Sequence, residues 1–278
     1  TYENKFLYGN IPNTTILENG FKFIVDFVEG QKTGFFIDQR ENRTLIRNYS
    51  KDRKVLNLFS YTGAFSIYAA GSGAKFIYSV DSSAKAIDMA KKNMEINGFS
   101  TVSEEIQTDV MEYLQNTNEK YDLIILDPPA FAKHNDARHN AIQGYTRLNA
   151  EAIKKLNHNG ILFTFSCSQL VDRQLFNSAV MAAAIQSERK IKILHQLSQP
   201  PDHPYSIFHP EGHYLKGLVL MANWYFFKYN IINKMYKKIF IFILLTIISL
   251  FVFTEILNNY QNKIPKKNNE SVTNNMNH

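Results

Sequence analysis

A thiol and a carboxylate stand at the ends of two apolar runs in this chain. Its single cysteine, Cys167, follows Ile161-Leu162-Phe163-Thr164-Phe165 within the small polar stretch Ser166-Cys167-Ser168. Upstream, the run Leu123 to Asp127 ends in Asp127-Pro128-Pro129-Ala130-Phe131-Ala132-Lys133. In an open α/β sheet the carboxyl ends of neighbouring strands face one crevice, so the two groups can flank one substrate. A lone intracellular cysteine is most often a small buried hydrophobe, but a thiol just past a strand's carboxyl end is placed for nucleophilic attack. Two consecutive prolines fix the backbone after Asp127 and remove two amide donors, which holds that loop open toward the crevice.

Three further strand ends carry ligand-binding residue types. Asn57-Leu58-Phe59-Ser60-Tyr61-Thr62-Gly63-Ala64-Phe65 reads as a strand, a tight turn and a helix start. One glycine does not make the three-glycine dinucleotide fingerprint, and no Gly-Lys-Ser/Thr follows to form a phosphate loop. Asp81 ends the next strand about 20 residues on, where an acid can accept hydrogen bonds from ribose hydroxyls; capping the following helix is its competing role. Asp109, after the third strand, could meet an adenine amine or cap Val110 to Leu114. Together these turns suggest a nucleoside held without a phosphate grip. The seven histidines from His134 to His213 show no metal-ligand spacing, so no metal site is expected.

The elements that must position these groups alternate. Strands are expected at Val55–Phe59, Phe76–Asp81, Val102–Gln107, Leu123–Asp127, Gly160–Phe165, Ile191–Leu197 and Leu215–Leu220, with helices at Ser83–Asn97, Ile142–Leu156 and Val171–Ser187. This predicts an α/β protein with a doubly wound, mainly parallel seven-stranded sheet. Phe21 to Ile37 holds short alternating runs that read as one or two antiparallel strands, a hairpin segment leading into the sheet. Asp38 to Asn48 has helical spacing and sets Arg40, Arg43 and Arg47 on one basic face, which solvation alone would explain.

With 45% apolar and 13% aromatic residues the chain is not disordered as a whole, and one cysteine rules out an internal disulfide and suits the cytoplasm. From Trp224 onward seven lysines face Glu255 and Glu270, which carries +5 of the net charge of +6. Residues 1–223 are therefore nearly neutral, so any nucleic-acid surface on them is local. The expected organisation is a linker remnant at 1–17, the α/β domain at 18–223, and a tail at 224–278 with a hydrophobic segment at 239–257. The uncharged run Ile239 to Phe253 is shorter than the roughly 20 residues that span a bilayer, although Ile256 and Leu257 could extend it. Met235-Tyr236-Lys237-Lys238 before it also resembles a signal-type start. A joined second reading frame, a single-pass anchor and a buried helix all remain open.

Five motifs in order, Gln31–Arg43, Asn57–Gly63, Asp127–Lys133, Ser166–Ser168 and Pro210–Gly217, closely resemble the class I S-adenosylmethionine-dependent 23S ribosomal RNA (cytosine-5) methyltransferases of bacteria, from about Glu18 to Leu220. The resemblance implies a Rossmann-like methyltransferase sheet with an antiparallel last strand and S-adenosyl-L-methionine as cofactor. It implies cofactor contacts at Ser60, Tyr61, Thr62, Gly63, Asp81, Asp109, Asp127 and Pro128, and ribosomal RNA as partner. Arg40 and Lys133 are the candidate substrate-binding residues. Family members also carry an amino-terminal RNA-binding domain of PUA type, expected to be absent from this chain, and the tail departs from the family.

Carbon 5 of cytosine is a poor nucleophile until a thiolate adds to carbon 6, so the resemblance makes Cys167 the catalytic nucleophile, with Asp127 stabilising the base as the adduct forms. Related RNA enzymes place a second cysteine after the fourth-strand proline; here that neighbourhood is Pro129-Ala130. The rival readings are methylation of an RNA nitrogen, with Cys167 as packing, and a non-catalytic binding protein tethered to a membrane by a genuine tail.

Overall fold

Continuous apolar runs build the middle of a seven-stranded sheet. β3 (Lys54–Leu58), β6 (Tyr121–Leu126) and β7 (Leu156–Ser166) bury Val55, Leu56, Leu58 and Leu123 to Leu126 completely. Helices cover both faces, so neither side of these strands meets water and no polar alternation is needed. β4 (Phe76–Asp81) and β5 (Ser103–Gln107) extend the sheet on one side, β8 (Arg189–Leu197) and β9 (Lys216–Tyr225) on the other. The order is β5-β4-β3-β6-β7-β9-β8. β3 to β7 pair in parallel, and β9 runs antiparallel to both of its neighbours. The chain leaves β3 for β4 and β5, then returns to β6. The strand order therefore reverses between β3 and β6, where open α/β sheets bind their ligands.

The structure is a computed structural model that describes residues 8–9, 14–28, 30, 34–131 and 138–261; the side chains of 224–234, 260 and 261 lie outside that description. Strand residues point alternately to two cores. Leu56, Leu58, Ile124, Leu126 and Leu162 pack with α4 (Val110–Asn116), α5 (Arg138–Lys154) and α6 (Arg173–Gln186). Val55, Ile77, Leu123, Ile125 and Phe163 pack with α1 (Arg40–Ser50), α2 (Ala64–Ala70), Met94 of α3 (Ala84–Ile96) and the hairpin. α3 begins at its cap Ser83, whose side chain accepts from the Ala86 amide, and it buries Ala86, Ile87, Ala90 and Met94 but not Ala84.

The hairpin lies earlier than its apolar pattern suggests. β1 (Thr14–Glu18) and β2 (Phe21–Val25) pair from Thr14↔Val25 to Glu18↔Phe21 as a separate two-stranded sheet. Residues 14–17, assigned above to a linker, are thus strand. The turn between them is Asn19-Gly20, with φ of 49° and 89°, the dipeptide that tight hairpins favour because both central residues need positive φ. β9 also outruns its expected end near Leu220. The Arg189 guanidinium, buried beside it, donates to the carbonyls of Leu156, Asn157, Ala222 and Asn223 and so joins the ends of β7 and β9.

The chain divides into two units, Thr1–Phe226 and Phe227–His278. The second holds nearly all of α7 (Phe226–Gln261), in which an 18-residue window of the stretch Met235–Asn259 has a mean hydropathy of 2.7. By length and composition that stretch could cross a membrane.

Candidate active site

A cavity of about 360 Å³ opens at the carboxyl ends of β3, β4, β6 and β7, a size that accommodates a small ligand. Ser60, Tyr61, Thr62, Asp81, Asp127, Pro128 and Cys167 all line it. Sequence separation between the first and last of these is large; the parallel sheet brings them together by stacking strand ends side by side.

The turn after β3 is held under strain. Phe59 and Tyr61 have φ of 58° and 47°, left-handed conformations that side chains disfavour by about 1–2 kcal/mol each. Asp81 secures this geometry: its Oδ2 accepts from the Tyr61 amide at 2.9 Å and its Oδ1 from the Ser83 amide at 2.9 Å. Asp81 therefore fixes the turn while Ser83 caps the helix. Gly63 closes the turn at φ 79°, where an added Cβ would stand 3.1 Å from Ala90 Cβ, and its amide donates to the Ser60 carbonyl. Gly63 shapes the turn without lining the cavity.

A second wall comes from the segment before α1, whose role the sequence does not disclose. Gln39 Nε2 donates to Asp127 Oδ2 at 3.0 Å, and Asn42 Nδ2 donates to Gln39 Oε1 at 2.7 Å, so the Gln39 amide is oriented and in turn aims Asp127. The Tyr214 hydroxyl donates to Asp38 Oδ2 at 2.5 Å; burial, followed by this carboxylate, raises the Tyr214 pKa. Asp38 Oδ1 and Ser60 Oγ are buried and have no hydrogen-bond partner among the described residues, and both residues line the cavity. Unmet polar atoms of this kind cost free energy unless a ligand satisfies them. They suit a ligand carrying N–H and O–H groups, as a nucleoside bearing a free α-amino acid does.

Cys167 is partly exposed on the cavity wall, and anchored residues flank it. Ser166 Oγ donates to the buried Tyr145 hydroxyl at 2.9 Å, and Lys216 Nζ donates to the Ser168 carbonyl at 2.5 Å. Burial raises the Tyr145 pKa. Burial also lowers the Lys216 pKa to about 8, with Cys167 acting in the opposite direction.

Two expected site residues stand elsewhere. Asp109 caps α4, its Oδ1 accepting from the amides of Met111 and Glu112, and it does not line the cavity. Arg40 pairs with Asp202 at 2.5 Å and with Glu41. Lys133 lies outside the described residues. Arg43, expected on a basic face, is 1% exposed and bound to Glu18. Among the described residues no group of three metal-ligating side chains comes together.

The sheet reverses at β3/β6, and there a strained turn, the acid that ends β4, a carboxylate and a thiol line one cavity of an α/β domain. Residues 4–215 match the S-adenosylmethionine-dependent methyltransferase family, and the chain belongs to it. It is 43% identical over 222 residues to the ribosomal RNA large subunit methyltransferase I of Aeromonas salmonicida (strain A449), and 42% identical over 223 residues to that of Tolumonas auensis (strain DSM 9187 / NBRC 110442 / TA 4). Both matches cover 78% of this chain and 56% of the relative, so the chain spans little more than half their length. A solved protein assigned as a methyltransferase and complexed with SAH superposes with a TM-score of 0.70 at 28% identity, covering 77% of this chain and 58% of that one. The family's cofactor is S-adenosylmethionine, which the strained turn, Asp81 and the unmet atoms of Asp38 and Ser60 fit.

Proposed function

We propose that this chain methylates carbon 5 of a cytosine in ribosomal RNA through a transient bond between Cys167 and the base. The observation that carries the reading is that Cys167 and Asp127 line the same cavity as the turn Ser60–Thr62 and Asp81. The names of the 43%-identical relatives support ribosomal RNA as the substrate class. Ser60, Tyr61, Thr62, Asp81, Asp127 and Pro128 would hold the cofactor, with Gly63 shaping the turn. S-adenosylmethionine, when bound, supplies an electrophilic methyl group. The Cys167 thiolate adds to carbon 6 and makes carbon 5 enamine-like. Asp127, aimed by Gln39, carries a proton at this step and hydrogen-bonds or protonates the ring nitrogen so that charge does not build up as the adduct forms, and it takes the proton back when the thiolate leaves. Once carbon 5 is methylated its proton leaves to water or a basic group, the bond from sulfur to carbon 6 breaks, and the thiolate returns.

Cytoplasm is the compartment this substrate requires. The stretch Met235–Asn259 would add a membrane tether to that picture.

The test combines one variant and one trap. Cys167→Ala should abolish methylation while S-adenosylmethionine still binds by calorimetry. Wild type given RNA with 5-fluorocytosine at the target should form an adduct stable on denaturing gels, because fluorine cannot leave as the proton does. Low salt favours RNA capture in this assay. Methylation that persists in Cys167→Ala, with no adduct from wild type, would sink the mechanism in favour of nitrogen methylation.

A further inference from the structure

The motif Pro210–Gly217 has no part in the chemistry above, yet it delivers Lys216 to the nucleophile's loop. β9 runs antiparallel to β7 with Lys216 directly opposite Ser166. Register therefore places the lysine beside the last strand residue before Cys167. Its side chain is almost wholly buried, at 3% exposure, and its ammonium donates to the Ser168 carbonyl. Among the described residues no carboxylate forms an ion pair with it. A buried cation held by one carbonyl is under-compensated, and a neighbouring anion would stabilise it. A thiolate is the anion the site can generate, and a nearby ammonium is what lowers a cysteine's pKa.

We propose that Lys216 is the positioning and activating cation of Cys167: it pins the loop Ser166–Ser168 through the Ser168 carbonyl and holds the thiol ionised. This rests on the reading of Cys167 as nucleophile. The thiol proton passes to solvent, and below about pH 8 the lysine keeps its own proton. The groups around the pair are Tyr145 on α5, which meets Ser166; Tyr214, which donates to Asp38; Asp127 across the cavity; and Asp172 and Arg173 at the start of α6. The two α6 charges are of opposite sign and act on Lys216 in opposite directions.

With one cysteine in the chain, alkylation by iodoacetamide reads Cys167 alone. The rate against pH in the full-length wild type should show a midpoint below the ordinary cysteine value of about 8.5. A midpoint at or above that value overturns the proposal, whatever any variant does. Lys216→Met should raise the midpoint by about one to three pH units, and Lys216→Arg, which keeps the charge, should restore most of the difference. An unchanged midpoint in a folded Lys216→Met, verified by its melting curve, also overturns the proposal. The outcome is separable from that of the proposed reaction: a low midpoint with undiminished methylation by Cys167→Ala would keep the ion pair and discard the covalent mechanism.

Discussion

Replacing Glu18 by leucine should destabilise the first unit far more than its position at a hairpin's end suggests. Glu18 Oε1 and Oε2 accept from Arg43 Nε at 2.9 Å and Nη2 at 2.8 Å, and Oε1 also accepts from the Tyr68 hydroxyl at 2.9 Å. The two charged side chains are 8% and 2% exposed. Glu18→Leu leaves the guanidinium buried without its carboxylate, facing the Phe36 carbonyl at 2.8 Å and the Phe35 ring at 4.8 Å. Removing one member of a buried pair costs about 3–5 kcal/mol. For a unit of 226 residues that converts to a fall of roughly 6–20 °C in melting temperature, at about 2–4 °C per kcal/mol. Urea and thermal melts followed by circular dichroism give the number. The double variant Glu18→Leu/Arg43→Met removes both charges and should recover most of the loss, because a well-packed apolar pair is often as stable as the ion pair it replaces. A single variant within about 1 kcal/mol of wild type would refute the reasoning, since that is the range of an exposed pair.

Two acids at strand ends should behave differently. Asp81→Ala should weaken S-adenosylmethionine binding by about 1–3 kcal/mol in calorimetry, whereas Asp109→Ala should cost about 1 kcal/mol of stability as a lost cap with affinity nearly unchanged; an equal loss of affinity in Asp109→Ala would return it to the cofactor site. The pH dependence follows from Lys216, whose pKa lies near 8 in the fold against 10.5 for an ordinary lysine. Below pH 8 both states hold the proton and the fold bears the buried charge, while between about 8 and 10.5 only the unfolded chain stays protonated, so stability from this group rises across that window. Urea melts across that range should show the rise in wild type and its loss in Lys216→Met; a rise of equal size in both would remove Lys216 as its cause.

The alternation of apolar runs and helical spacing made the sheet legible, because buried parallel strands leave a strong local signal. Asp81, Asp127 and Cys167 were legible for the same reason, each standing where a readable strand stops. The hairpin is legible in part: β2 falls within the expected Phe21–Ile37, while β1 precedes it across Asn19-Gly20, where Thr14–Glu18 carries a weaker apolar signal. Arg43 was unreadable: its spacing with Arg40 and Arg47 is that of a solvated face, and only Glu18, brought over by the hairpin, shows it to be buried. Gln39 and Lys216 act through partners 88 and 48 residues away in sequence. Contacts at that range are made by topology, which no local pattern encodes.

The segment Phe36–Gln39 belongs to neither sheet, yet it forms one wall of the cavity. Arg43 from α1 holds the Phe36 carbonyl, Tyr214 from the approach to β9 holds Asp38, and Gln39 reaches Asp127. Asn42 also donates to Gln39, and the Phe36 ring meets Tyr61 edge-on at 5.3 Å, so these ties are side-chain contacts whose local opening would leave both cores packed. A ligand that contacts Asp38 or Gln39 must therefore stabilise the closed segment by the same free energy that closure adds to its binding. Occupancy of the cavity is then written in the exchange rates of a few backbone amides, in a molecule whose sheet would look the same whether filled or empty.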